Sequence, residues 1–142
     1  MTFEIVNPAS LGEPKGWSHG VLAPREGRLL FVAGMAGWDA KAGAEAPGLV
    51  VQFARALDHV LTVVREAGGG PTDVARMTVY VTDLAEYRAE RGPLGEAWRE
   101  RFGRYYPAMA LLEVKGLVDA GARVEIEATA VIVEHENGES VR

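Results

Sequence analysis

The segment from residue 50 to residue 71 constrains the fold more than any other part of the chain. Its apolar residues recur at three- and four-residue spacing, which is the pattern of an amphipathic helix with one face in a core: Val50, Phe53, Ala54, Leu57, Val60, Leu61 and Val64. The helix is expected to end at Gly68-Gly69-Gly70-Pro71, because glycine favours the C-terminal cap and proline cannot continue a helix. These glycines follow a helix instead of preceding one, so they are predicted to form a cap and not a phosphate-binding loop.

After this helix, the spacing of the apolar residues changes from a helical period to strict alternation. In residues 74–81 apolar and polar side chains alternate, which predicts a half-buried strand. Asp83 is a predicted helix N-cap with Glu86 as its capping-box partner, and the second helix continues past Pro93 to Phe102. Shorter strands are expected near residues 3–6 and 29–33. Two more follow near the end of the chain, one beginning at Pro107 and one over residues 123–132.

This order of elements predicts an α+β fold, in which a mixed sheet carries two helices on one face. The helices are expected to cover Leu112, Val114, Val124 and Ile126. The other face then carries apolar side chains and two glutamates: Phe31, Met109, Leu111, Glu125 and Glu127. Oligomerisation is the simplest way to cover such a face. The 142 residues are interpreted as one domain, 1–142.

Composition excludes several classes of protein. The net charge of -5 makes nucleic acid an unlikely partner, and the absence of cysteine excludes disulfides and thiolate chemistry. Three scattered histidines do not predict a metal site. No apolar run approaches the roughly 20 residues that span a bilayer. The first residues lack a signal-type segment, so a cytoplasmic location is expected.

Five segments together resemble one known family: residues 16–21, 30–35, 80–83, and above all Tyr106-Pro107-Ala108-Met109 with Val124-Glu125-Ile126-Glu127. The chain resembles the Rid proteins, the YjgF-like reactive-intermediate deaminases. The resemblance implies a chorismate-mutase-like fold and a homotrimer with three clefts between subunits. It also implies a small-molecule ligand. Members of the deaminating branch hydrolyse imines and enamines to keto acids and ammonia without a cofactor.

The resemblance also assigns roles by position. Glu125 matches the glutamate that holds the attacking water, and Trp17 matches an aromatic lid. The other positions in contact with substrate have changed: Met109 replaces an arginine that grips the substrate carboxylate, Leu111 replaces a small or sulfur-bearing residue, Ala33 replaces a serine, and Met35 replaces a glutamine.

Met109 is the most consequential of these changes. Arginine offers a fork of donors that matches a carboxylate, whereas methionine has no donor. A buried substrate carboxylate facing Met109 would be unpaired, which is costly. We therefore expect the cleft to favour an apolar or neutral ligand over a 2-imino acid. Arg91, Arg101 or Arg104 of a neighbouring subunit is an open alternative for the missing cation, although residues 99–104 are also typical of a solvated helix face.

Each candidate also has a purely structural interpretation. Alternating glutamates are typical of a solvent-facing strand, which we favour for Glu127 and leave open for Glu125. Met109 is favoured as an interface packing residue, and Glu113 as an interface ion-pair partner. Three functions follow: an imine or enamine hydrolase using Glu125, a trimeric small-ligand binding protein, and a ribonuclease or translation inhibitor. The acidic composition makes the third least favoured.

Overall fold

The computed structural model of the chain describes residues 3–39 and 41–134. Eight strands and three α-helices follow one another within these residues: β1 Glu4–Val6, β2 Gly20–Leu22, β3 Arg28–Ala36, β4 Trp38–Asp39, β5 Ala44–Glu45, α1 Leu49–Glu66, β6 Val74–Val81, α2 Leu84–Ala89, α3 Arg91–Phe102, β7 Ala108–Glu113 and β8 Val124–Ile132. His135 and the other residues of the polar C-terminal segment lie outside the described part.

The main sheet has four strands in the order β3-β8-β6-β7. β8 runs antiparallel to β3 and β6, whereas β6 and β7 are parallel, so the sheet is mixed as expected. A bulge between Val32 and Met35 shifts the register of β3 against β8. β7 is the edge strand of this sheet and pairs only with β6, and it borders a cleft that is described below.

The helices pack on one face of this sheet. α1 contacts β3, β8 and α3, and its apolar stripe is almost fully buried. Gly68, at a φ of 93°, follows the helix end, which confirms the predicted glycine cap. The second expected helix is divided: α2 ends at Ala89, and α3 begins at Arg91 with Pro93 in its first turn, where proline is tolerated.

The predicted faces of β7 are wrong. The parallel register pairs Met109 with Met77 and Leu111 with Val79, both buried under the helices. Met109 and Leu111 therefore lie on the helix-covered side, and Leu112 is 40% exposed on the other. The alternation of residues in β7 led to the wrong assignment because both faces of this strand are apolar. A period of two therefore does not show which face the helices cover.

The helix-free face carries the side chains that would be expected at an interface. Phe31 is 74% exposed and Leu29 is 63% exposed on β3, and Leu112 lies on β7 at the other edge of the sheet. Glu125 and Glu127 lie between them on β8, which confirms their predicted side, because Ile126 and Ala128 are buried under the helices. Within the described ranges no helix is long and apolar enough to cross a bilayer.

The N-terminal segment reaches the main sheet at its β7 edge. β1 pairs with β2 in a separate two-stranded sheet, so the predicted first strand does not join the main sheet. Ser18 is buried, its Oγ donates to the carbonyl of Tyr106 at 2.6 Å, and its N–H donates to the carbonyl of Pro107 at 3.1 Å. These two bonds fix Trp17 beside the start of β7.

Candidate functional site

A cleft of about 720 Å³ separates the β7 edge of the sheet from the second and third helices. Its sheet wall is formed by Met109, Leu111 and Val79, and its base includes Phe53 of α1. The volume lies in the range of small-molecule sites. Met109, the position that the resemblance assigns to substrate binding, therefore faces an open cavity within a single chain.

Aromatic side chains contribute much of the lining of the cleft. Trp17 lines it from the N-terminal segment and is 41% exposed, and Tyr87 lines it from α2. Trp98 of α3 stacks on Tyr106 with ring centroids 6.0 Å apart and planes inclined by 9°, and its indole N–H donates to the carbonyl of Tyr105. The predicted lid position of Trp17 is thus beside the cavity, and the stacked pair of Trp98 and Tyr106 adds further aromatic surface to its lining.

Three cations line the same cleft, two of them from α3. Arg91, Gly95 and Arg99 follow one another at four-residue spacing along α3, and Lys15 lies on the N-terminal segment beside Trp17. The sequence interpretation of residues 99–104 as a solvated helix face missed Arg99. The signal that identifies it is the spacing of 91, 95 and 99, which places the three residues on one face of the helix.

The other two candidate arginines are placed elsewhere. Arg101 forms a fork with Asp58, with Nε–Oδ1 at 2.7 Å and Nη2–Oδ2 at 3.2 Å, so its guanidinium joins α3 to α1. Arg104 lines a separate cavity of about 400 Å³ on the other side of Trp17 and Tyr106. Of the three arginines considered from the sequence, Arg91 is the one beside Met109.

Glu125 lies on the opposite face of the sheet from Met109. Its side chain rests on the bare backbone of Gly34, where an added Cβ would come within 2.8 Å of its Cδ. Ala33 is exposed in the same bulged segment of β3. Met35 pairs with Ile126 and packs half-buried against the core. One chain therefore does not bring Glu125 and Met109 into one site.

The neighbouring glutamates already have partners. Glu127 accepts a hydrogen bond from the Tyr80 hydroxyl at 2.8 Å, and this bond raises the pKa of Tyr80. Glu113 accepts from the backbone N–H of Leu84 at 3.0 Å, so it satisfies an amide at the start of α2. The Asp83 cap is confirmed by bonds from Ala85 and Glu86, and the Glu86 carboxylate pairs with Arg123.

The histidines are also dispersed. His19 packs edge-on against Trp17 with ring centroids 4.8 Å apart, and Nδ1 of His59 lies 3.1 Å from the carbonyl oxygen of Ala36. Among the residues that the structure describes, no group of three or more metal-ligating side chains comes together.

Comparison with known proteins identifies the family to which this architecture belongs. The model of the family described as endoribonuclease L-PSP matches residues 9–132. The chain belongs to the endoribonuclease L-PSP family. This is the Rid, or YjgF, family that the sequence resembles.

Individual Rid-family proteins agree with this assignment. The chain is 33% identical over 125 residues to a protein of Capra hircus named 2-iminobutanoate/2-iminopropanoate deaminase, covering 87% of this chain and 83% of that protein. A Rid-family protein of unknown function from Yersinia pestis has a TM-score of 0.80 at 30% identity, covering 92% and 99% of the two chains. The YjgF gene product of E. coli has a TM-score of 0.65 at 26% identity, covering 88% and 91%.

Proposed function

We propose that this Rid-family protein hydrolyses an imine or enamine to a carbonyl compound and ammonia, in a cleft shared by two copies of the chain. The cavity at Met109 is the observation that carries the proposal, because the position that contacts substrate in deaminating relatives lines an open cleft here. The name of the Capra hircus relative supports the same reaction class.

Glu125 is proposed to orient the attacking water. Water adds to the imine carbon, and its proton passes by way of the Glu125 carboxylate to the nitrogen, leaving a carbinolamine. The carbinolamine then collapses: its C–N bond breaks, ammonia leaves, and the hydroxyl becomes the carbonyl oxygen. The proton of that hydroxyl passes to the departing nitrogen, and no step oxidises or reduces the substrate, so the reaction needs no redox cofactor.

A homotrimer is proposed as the assembly that completes the site. Glu125 and Met109 lie on opposite faces of one sheet, so a site that uses both must take them from two chains. The exposed Phe31 and Leu29 support burial of the helix-free face against another copy. A closed ring of three chains repeats the same contact three times and leaves no unpaired interface.

The reaction is tested with imines made in the assay by an L-amino-acid oxidase acting on alanine, leucine or phenylalanine. The measured quantity is the rate of keto-acid formation above spontaneous hydrolysis. We expect acceleration by the unmodified protein with the leucine- or phenylalanine-derived imine. We expect Glu125→Gln to lower that acceleration at least about a hundredfold, within the usual contribution of a general base.

Glu127→Gln is the matched control, because it removes a carboxylate from the same strand and face that is already engaged by Tyr80. It should retain most of the activity. Turnover that survives Glu125→Gln unchanged would reject the role of Glu125. Absence of acceleration with every imine would instead favour the alternative, a trimeric small-ligand binding protein, which the replacement of the carboxylate-gripping arginine by Met109 also supports.

A further inference from the structure

We propose that the cleft between α3 and β7 binds an organic carboxylate with a large apolar body, and that Arg91 and Arg99 hold the carboxylate group. The ligand's anionic end then lies on the helix wall and its apolar body on the wall of Met109 and Leu111. This inference deepens the proposed function, on which it rests, by assigning the ligand class of the same cleft.

The charges around the cleft are all of one sign. Arg91, Arg99 and Lys15 line it, and none of the described residues that line it is acidic. Elsewhere on the described surface Arg55, Arg101 and Arg123 form ion pairs with carboxylates, whereas no such pair involves the three cations of the cleft. In a protein of net charge -5, this is a local positive site suited to an anion.

Gly95 makes room for one of these cations. A Cβ built on Gly95 would lie 3.1 Å from Nη1 of Arg99 and 3.8 Å from its Cζ and Nη2. The guanidinium of Arg99 therefore folds back over the bare helix backbone, one turn toward Arg91. Glycine inside a helix is unfavourable relative to alanine, so its presence here calls for a reason. The close approach of Arg99 supplies one.

The remainder of the cleft calls for an apolar body. Met109, Leu111, Val79 and Phe53 offer no hydrogen-bond donor from their side chains, and Trp17 and Tyr87 add aromatic surface. A three- or four-carbon imino acid, such as those in the name of the Capra hircus relative, would leave most of the 720 Å³ unfilled. An aromatic or branched acid covers both walls, since its carboxylate reaches the guanidinium groups while its hydrocarbon part displaces water from the sheet wall.

Three stable probes separate the two parts of the proposal in calorimetric titrations of the full chain. 3-Phenylpropionate has the acid and the apolar body, 3-phenylpropionamide has the body without the charge, and propionate has the charge without the body. We expect 3-phenylpropionate to bind at least about tenfold more tightly than either of the other two. Its affinity should fall as the salt concentration rises, because the cations are exposed.

Variants identify the cations. Arg91→Gln combined with Arg99→Gln should weaken 3-phenylpropionate binding about tenfold or more and leave the weak binding of the amide unchanged. Arg88→Gln is the control, because Arg88 is an exposed arginine of α2 that does not line the cleft. Gly95→Ala should displace the Arg99 head group and weaken binding of the acid, while the melting temperature stays the same or rises.

The outcomes are separable from those of the proposed function. The probes contain no imine and their binding needs no turnover, so failure of hydrolysis leaves this test intact. Equal affinity for the acid and its amide would overturn the proposal. Unchanged binding in the double arginine variant would overturn it too, as would the absence of binding by all three probes at millimolar concentration.

Discussion

Met109 is the residue on which the proposed ligand preference of this cleft most depends. It lies half-buried on the wall of the cleft, at the position where the deaminating relatives are expected to have arginine. A thioether makes favourable contacts with apolar groups but donates no hydrogen bond to a carboxylate. The cations of this cleft lie instead on α3 and beside Trp17. The carboxylate of the ligand is therefore expected to be bound by the helix wall, opposite Met109.

Met109→Arg tests this account at the residue scale. The unmodified protein should hydrolyse the alanine-derived imine poorly, because a three-carbon acid gains little from the apolar sheet wall. The variant restores a charge-assisted bond worth about 1.5–3 kcal/mol, so kcat/KM for that imine should rise about tenfold or more.

Met109→Leu is the control for this variant and should behave like the unmodified protein, since it conserves volume and polarity. A loss of structure from crowding against Leu111 would be visible in the far-ultraviolet circular dichroism spectrum. Equal and rapid hydrolysis by the unmodified protein and Met109→Arg would contradict the account, because it would show that another cation already serves small imino acids.

The sequence placed some of the candidate site residues correctly relative to one another and others not. Position by position, the resemblance identified Trp17, Met109 and Leu111, and these three do share one cleft. It did not place Met109 and Glu125 on opposite faces, because strand pairing decides that and both faces of β7 are apolar. Gly95 was not identified because its contribution depends on the conformation of Arg99.

Gln52 stabilises the fold by joining three separate elements at one buried point. Its Nε2 donates to the carbonyls of Ala46 at 2.9 Å and Gly121 at 3.0 Å, and its Oε1 accepts from the N–H of Arg123 at 2.7 Å. It is 2% exposed on α1. The side chain therefore satisfies the backbone of the α1 entry, the loop after β7 and the start of β8.

Gln52→Leu should lower the free energy of unfolding by roughly 2–4 kcal/mol, because it leaves buried backbone groups without partners. Urea denaturation monitored by tryptophan fluorescence measures this change. Val51→Ala, at the adjacent and 46% exposed position of the same helix, is the control and should change stability much less. A Gln52→Leu variant as stable as the unmodified protein would show that these three bonds contribute little.

Tyr105 makes the stability of the fold depend on pH in the alkaline range. Burial raises the pKa of its hydroxyl, with a further contribution from Asp73, and the hydroxyl donates to the carbonyl of Val74. The unfolded chain loses this proton near pH 10, whereas the folded protein keeps it. The folded state thus binds more protons above about pH 10, so stability is full below that value and falls as pH rises.

Tyr105→Phe removes both the hydrogen bond to Val74 and the ionisable hydroxyl. It should cost about 1 kcal/mol at neutral pH through loss of the bond to Val74, and the decline in stability above about pH 10 should become shallower. Urea denaturation of both proteins across that pH range measures the difference. An identical alkaline decline in the two proteins would assign it to other groups.

Elements were more predictable than their connections. The α1 period, the glycine cap and the β6 alternation are local signals, and each appears in the fold with nearly the predicted bounds. The pairing of β1 with β2 and the contact of Ser18 with the Tyr106–Pro107 segment join residues far apart in sequence. No local periodicity encodes such contacts, so the sequence did not predict them.

The whole molecule is expected to be a trimer, because the helix-free face exposes Phe31 and Leu29 and carries Glu125 away from the cleft of its own chain. Light scattering should give a mass three times the 15.3 kDa of one chain. Phe31→Glu should dissociate the assembly by placing a charge in the interface. A stable monomer of the unmodified protein at micromolar concentration would contradict the shared site.

The most direct measurement mixes two inactive chains. Glu125→Gln keeps the cleft, and Met109→Trp fills the cleft but keeps Glu125, so each alone should form an inactive trimer. If each site takes its cleft and its Glu125 from different chains, random co-assembly should restore about a quarter of the unmodified activity. Mixed trimers verified by mass but without recovered activity would contradict the central claim that the site is built from two copies of this chain.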